Sequence, residues 1–506
     1  MVNGGAIVGA RHERHATPAS IRGDRGRLSP SFATRYGTAM HGPATLAPLT
    51  QAPPPTWGAE LRALAALAGP LIGANLLQMA VFAVDVVFVA RLGPVEFAAA
   101  TLGVFVFNIL AFGLIGLVGA AEPLIAASLG RRVGAVRQVR RSFRMAMWLA
   151  ALGSVLVIVV LNCAAPLLRL AGQDAAVAAR AGAFCRILSL AVVPAVMGAL
   201  IRLTAAALGR PGWALVVTAV ALGVAILANW CLVFGHGGFP ALGLEGAALA
   251  SVLTSIATCA AYVVILLTDR KLRRFRLLGK WWRAEWSRMA EIARLGAPIA
   301  LGWMAEGGLF GGAGLLMGLI SVTAIDAHAV ALNIAAIAFQ IPFGLAQAGT
   351  IRVGFAYGAG DRAWIGRAGN VAVLCGIAVM VLSATVFWAV PHWLVRLYVD
   401  PARETAVATM AVQLLGIAAI FQLVDGAQAV AAGVLRGVQD TRVPMLIQVS
   451  GYWGAGFGTA ILLGFGFGWG AAGIWWGLAV GLGVVSALLL WRWSARERIG
   501  LTPRTD

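Results

Sequence analysis

The sequence predicts an all-α integral membrane protein: twelve transmembrane helices in two six-helix bundles, related by a pseudo-twofold axis along the membrane normal. Three observations predict it. Hydrophobic residues make up 60% of the chain and charged residues only 12%, against about 25% charged in soluble domains, and mean hydropathy is +0.86. Twelve apolar runs each reach roughly the 20 residues that span a bilayer core as a helix. The chain also repeats itself: a shift of 228 places Leu67 and Pro70 on Leu295 and Pro298, Gly116-Leu117 on Gly344-Leu345, and Gly130 on Gly358. Near the other end, a shift of 227 places Gly243 and Gly246 on Gly470 and Gly473. A repeat of six spans, an even number, keeps one topology in both halves.

Residues 1-56 hold seven prolines, many arginines and no apolar segment. They read as a disordered basic tail, not a cleavable signal, and a start at Met40 would shorten it. The first bundle, 57-268, contains runs near 65-90, 98-121, 145-168, 183-208, 213-235 and 244-268. The first run carries Asp85, the fourth Arg202 and the fifth Asn229; Glu122, before Pro123 and a group of arginines, reads as a solvated end residue. Residues 269-295 form a basic cytoplasmic linker in which Trp281, Trp282 and Trp286 alternate with arginines, as in an interfacial amphipathic helix. The second bundle, 296-491, contains runs near 296-320, 327-350, 370-391, 405-434, 444-466 and 469-491, followed by a basic tail over 492-506. Asp326, His328, Asp361 and Asp440 fall at run ends and are read as rim residues.

Net charge is +19, which raises the question of nucleic acid. The distribution of the charge answers it. With the N-terminus in the cytoplasm, 33 of the 39 Lys and Arg residues fall on inner segments, satisfying the positive-inside rule. The basic excess is topology signal and lipid-headgroup contact, and no nucleic-acid partner is expected. The reading is a multi-pass protein of the bacterial inner (plasma) membrane, with both termini cytoplasmic. Sixty-three glycines fit close helix approach in lipid, and five scattered cysteines without ligand spacing read as packing residues.

A carboxylate deep in a spanning helix costs about 2.5 to 3.5 kcal/mol and persists where it faces water or a partner. In the stretch GWMAEGGLFGG, Glu306 lies 11 residues past Leu295, about 16 Å from the inner face at 1.5 Å per residue. Asp425, on an oppositely directed run, lies 10 residues before Leu435, about 15 Å from the same face. Two acids at one depth make a cation site or a coupled pair that holds a proton. Asp85 and Asn229, each six residues from the outer end of its run, share a second level. No HExxH, Cys-His pair or GxxxxGK[ST] is present, so no enzyme is expected and no ATP-driven step; an ion gradient must supply the energy.

The stretches LAGPLIGANLLQMAVFAVDVVFVARLG (67-93), FGHGGFPALGLEGAALAS (234-251), AHAVALNIAAIAFQIPFGLAQAGTIRVGFAYGAGD (327-361) and FQLVDGAQAVAAGVLRGVQDTRVPM (421-445) together resemble the multidrug and toxic compound extrusion (MATE) family, NorM-like branch, over residues from about 60 to 495. The resemblance implies export of small cationic, amphiphilic organic compounds by antiport with Na⁺ or H⁺, with no cofactor and a monomeric unit. It implies ion coupling by Glu306, Asp425 and Asp85, with Na⁺ held by Glu306 and Asp425 if Na⁺ is the ion. It implies substrate contacts from Asp85, Asn229, Phe421 and Asn333. Departures thin the polar shell: Ala225 precedes Asn229 by one turn, Phe421 stands where a tyrosine is common, and Ala329 follows His328. The alternative is a flippase for lipid-linked oligosaccharides or peptidoglycan precursors, whose anionic cargo calls for basic residues along the cavity; Arg202 is the clearest basic residue inside a run.

Overall fold

The computed structural model describes residues 55–279 and 281–503; most of the expected N-terminal tail lies outside them. The described residues are helical with no strand. Among the described residues, twelve helices are long and apolar enough to cross a membrane: α1 (Trp57–Ala90), α2 (Pro94–Arg131), α3 (Ala135–Asn162), α4 (Ala175–Ala207), α5 (Gly212–Phe234), α6 (Gly243–Thr268), α7 (Trp286–Ile320), α8 (Val322–Ala359), α9 (Arg362–Ala389), α10 (Thr405–Gly437), α11 (Arg442–Gly466) and α12 (Gly470–Ser494). Large apolar side chains such as Leu156, Leu315 and Leu319 point outward and are exposed, the inverse of a soluble surface and the pattern lipid requires.

α5 packs on α1 and α6 in the first half; α10 packs on α8, α9 and α12 in the second. The halves meet where α2 crosses α7 and α8, and where α1 crosses α8. Glycines make that seam. A Cβ on Gly116 would stand 3.1 Å from Ala300 Cα, and one on Gly344 would stand 3.1 Å from Ile72 N. A Cβ on Gly130 would meet the Phe355 carbonyl oxygen at 2.2 Å, and one on Gly358 would meet that of Ala127 at 2.0 Å. Within each pair the two contacts are the same contact displaced by 228 residues in sequence, so the seam is isologous across the pseudo-twofold axis. The glycines that reveal the repeat are the ones at which backbones touch. The 227-residue offset is as concrete: Gly243 and Gly470 open α6 and α12, each with φ +56°, a conformation that favours glycine.

The linker departs from the expected amphipathic helix. Among the described residues of the linker, only Arg270–Arg273 is helical before Trp286 begins α7. The chain folds inward instead: Leu272, Phe275 and Leu277 are buried in the core of the first half, while Glu285 pairs with Arg141 and Arg144 of α3. A continuous helix could not bury those three side chains and return to the start of α7 in so few residues. Asp269 starts the turn. Its burial favours the neutral acid, but bonds from Trp213 and the backbone N–H groups of Leu272 and Lys271, together with Arg210, hold its pKa below the ordinary 3.8.

Candidate functional site

A cavity of about 940 Å³ lies between the halves and takes lining residues from both. It runs from Arg202 and Arg436, beside the seam, to Val89 and Phe97 toward the opposite helix ends. Its walls are largely aromatic and aliphatic, with a few charged groups, the usual character of a small-molecule site.

On the first-half wall stands Asp85 of α1. Asn229 Nδ2 donates to Asp85 Oδ1 at 2.7 Å, and Ser251 Oγ donates to Asp85 Oδ2 at 3.1 Å. Asn229 is fully buried behind the carboxylate. Its amide nitrogen also donates to the Ala225 carbonyl at 2.9 Å, while its Oδ1 is buried without a partner. Asn229 therefore positions Asp85 and is not itself a lining residue. The turn occupied by Ala225, where sequence reading notes a lost polar group, supplies a backbone acceptor in its place.

On the second-half wall, Glu306 of α7 and Asp425 of α10 converge on one side chain. Gln428 Nε2 donates to Glu306 Oε1 at 2.9 Å and lies 3.4 Å from Asp425 Oδ1. Tyr452 fixes that amide by donating its hydroxyl to Gln428 Oε1 at 2.9 Å. Tyr452 is fully buried and sits in a widened, π-helical stretch of α11, Ser450–Phe457, a distortion often found where a helix must aim a functional side chain. Arg436, the last residue but one of α10, interacts electrostatically with Glu306 and with Glu122 of the first half. Phe421 lines the cavity, wedged edge-on between Phe310 and Trp475 at centroid distances of 6.0 and 5.7 Å.

Three expectations change. Asn333, expected at the substrate, is exposed and away from the cavity, and its amide donates to Ala329 of its own helix at 2.8 Å; it is on the wrong face of α8. Glu122, read as a solvated end residue, is buried with Oε1 unpartnered, because α2 continues past Pro123 to Arg131 and packs into the other half. His328, read as a rim residue, is buried against Trp475 at 5.6 Å. Sequence reading also missed Ser251, Gln428, Tyr452 and Arg436. Gln428 had a signal: it stands three residues past Asp425, on the same helix face.

The MatE family model matches residues 70–231 and again 298–462; the two matches begin 228 residues apart, the offset of the glycine seam. The protein named "Probable multidrug resistance protein NorM" from Mesorhizobium japonicum is 45% identical over 453 residues, covering 89% of this chain and 97% of the relative. The protein of the same name from Brucella suis biovar 1 is 41% identical over 440 residues, covering 86% and 93%. Among solved structures, the eukaryotic MATE transporter AtDTX14 superposes with a TM-score of 0.76 at 23% identity, covering 88% of this chain and 99% of that one. Twelve spans together with bacterial relatives aligned over nearly their full length make this a multi-pass protein of the inner membrane. With the family model matched once in each half, the chain belongs to the MatE family, whose members are transporters and not enzymes.

Proposed function

We propose that this protein is a secondary active multidrug exporter that expels cationic, amphiphilic organic compounds in exchange for inward Na⁺ or H⁺. The observation that carries the reading is the convergence of Glu306 and Asp425 on the Gln428 amide at the wall of a cavity shared by both halves. Two carboxylates that close to a common donor repel when both are charged, so one cation or proton taken up there is strongly favoured. An organic cation, held by the aromatic walls and a carboxylate, competes for the same negative charge. Occupation by one species expels the other. Asp85, oriented by Asn229 and Ser251, supplies the acid of the first half. Where Na⁺ is the ion, Glu306 and Asp425 are its carboxylate ligands.

The halves rock about the glycine seam to alternate access, and the unit of function is one chain. Both termini lie in the cytoplasm, so the cavity opens outward. Inward movement of one charge is worth about 2.3 kcal/mol per 100 mV, or roughly a 50-fold gradient at about 1.4 kcal/mol per decade. Exchange of one monovalent cation for another cancels that term, so large accumulation ratios draw on the ion's chemical gradient or on more than one ion per cargo.

The test is transport in proteoliposomes with a fluorescent organic cation, under a Na⁺ gradient and a pH gradient imposed separately. One gradient should drive export, and Asp425→Asn and Glu306→Gln should each insert normally yet lose that dependence. Export by both variants at the parent rate would overturn the assignment.

A further inference from the structure

Glu122 is a buried acid that the exchange mechanism leaves unused. It stands just before Pro123 in α2, where the two halves meet. A Cβ on Gly354 of α8 would lie 2.9 Å from Ala126 Cβ, 3.4 Å from the Pro123 carbonyl oxygen and 3.7 Å from that of Gly437, which follows Arg436. The Glu122 residue is 7% exposed and its Oε1 has no hydrogen-bond partner. No ion pair within 4.0 Å reaches it among the described residues. The repeat shows what a structural residue does at this place: a shift of 228 sets Glu122 on Thr350, whose hydroxyl is spent on the Ala346 and Gly433 carbonyls of its own half at 2.9 and 2.8 Å. The first half carries an unsatisfied acid there instead. Such a group is costly and persists where it has a charged partner.

Two arginines share it. Glu122 interacts electrostatically with Arg202 of its own half and Arg436 of the other, and Arg436 interacts in turn with Glu306. Arg202 donates to Asn75 Oδ1 at 3.1 Å, and Arg436 donates Nε to the Ala432 carbonyl of its own helix at 3.3 Å. Neither arginine lies within 4.0 Å of an acid among the described residues. The Arg436 charge is therefore divided between Glu122 across the seam and Glu306 beside it. Each half also holds its own acid and arginine, Glu122 with Arg202 and Glu306 with Arg436. The halves can part at the seam without stranding a charge, but parting takes Glu122 away from Arg436.

We infer that Arg436 is a built-in competitor for the coupling cation, drawn off Glu306 by Glu122 while the seam is closed and released to Glu306 when the seam opens. Glu122 is a positioning residue that acts through Arg436. Uptake of a cation at the acid pair needs the Glu306 charge, and a guanidinium moved onto that carboxylate takes it. Opening thus expels the cation. Cargo that displaces Arg436 sends it back to Glu122 and reseals the seam, so an empty exporter does not turn over. The inference rests on the proposed exchange function and supplies its coupling. Linkage removes the need to know the ion: whatever neutralises Glu306 must favour the closed seam, and must do so through Glu122.

The readout is the ratio of closed to open seam. Spin labels at Val133→Cys, past the end of α2, and Ala363→Cys, at the start of α9, stand at exposed sites in opposite halves. Their separation is measured by double electron–electron resonance on the full-length protein in nanodiscs, with the native cysteines replaced. Glu306→Gln should raise the ratio at least about fivefold, and Glu122→Gln should lower it by a similar factor. Adding Glu306→Gln to Glu122→Gln should leave the ratio where Glu122→Gln sets it. Glu122→Thr, the residue of the repeat, makes the same comparison if the glutamine variant fails to fold, and Glu122→Asp should restore the response. A response to Glu306→Gln that is equal with and without the Glu122 carboxylate would overturn the inference, as would its absence from the parent. Export of an organic cation driven by an ion gradient, with no Glu122-dependent response, refutes the bridge alone. A Glu122-dependent response in a protein that exports no organic cation supports the bridge and refutes the export reading.

Discussion

Asn229 donates to Asp85 across 2.7 Å, joining α5 to α1 at the cavity wall. The acceptor is a carboxylate facing the cavity and the donor is fully buried, so the bond sets where the charge stands. A hydrogen bond to a charged group contributes about 1.5–3 kcal/mol. Asn229→Ala should therefore lower stability by about that amount and cut organic-cation export by roughly tenfold or more through misplacement of Asp85. Thermal unfolding in detergent and initial export rates in vesicles check both. Retention of full export would reduce Asn229 to a packing residue.

How much of this site could be read in advance depended on cost. Glu306, Asp425 and Asp85 stand out in the sequence because a charge in an apolar run is expensive and so informative. Gln428 and Tyr452 do not, since neutral polar groups are cheap enough to occur in spanning helices for packing alone. The helices were legible from apolar runs and the repeat from glycine spacing, because both are periodic. Glu122 and Asn333 were misread for different reasons: for Asn333 sequence gives depth along a helix but not which face meets the cavity, and for Glu122 the end of the span was set too early. Pro123 and the arginines after it look like an exit from the membrane, yet α2 runs on to Arg131 against α8.

The seam yields a second prediction. Cβ atoms at Gly130 and Gly358 would stand 2.2 and 2.0 Å from backbone oxygens of the opposite half, and backbone cannot rotate aside as a side chain can. Gly130→Ala and Gly358→Ala should each destabilise the packed seam by about 1–3 kcal/mol. The double variant should cost less than the two together, because the first methyl already separates the backbones that the second would meet. Thermal unfolding gives the energies, and thiol labelling of Ala127→Cys in each background reports opening. Strict additivity would mean that the two contacts are not one interface.

The last prediction concerns a buried ion pair between the halves. Glu60, near the start of α1, is fully buried and accepts from Arg352 of α8 at 2.7 Å through Nε and at 2.5 Å through Nη2. Trp364 of α9 donates a third bond to Glu60 at 3.2 Å, and its ring lies 5.5 Å from the same guanidinium. Removing one member of such a pair leaves a buried charge without compensation, at about 3–5 kcal/mol. Glu60→Leu and Arg352→Leu should each cost that much and shift the halves toward separation at this end. Arg352→Lys should fall between, since an ammonium cannot fork onto both oxygens. The Glu60→Leu/Arg352→Leu double variant should be more stable than either single one, because no charge is then stranded. A double-mutant cycle by thermal unfolding, read with thiol accessibility near Arg352, decides the matter: additive losses would show that the two residues stabilise the fold separately and do not hold the halves together.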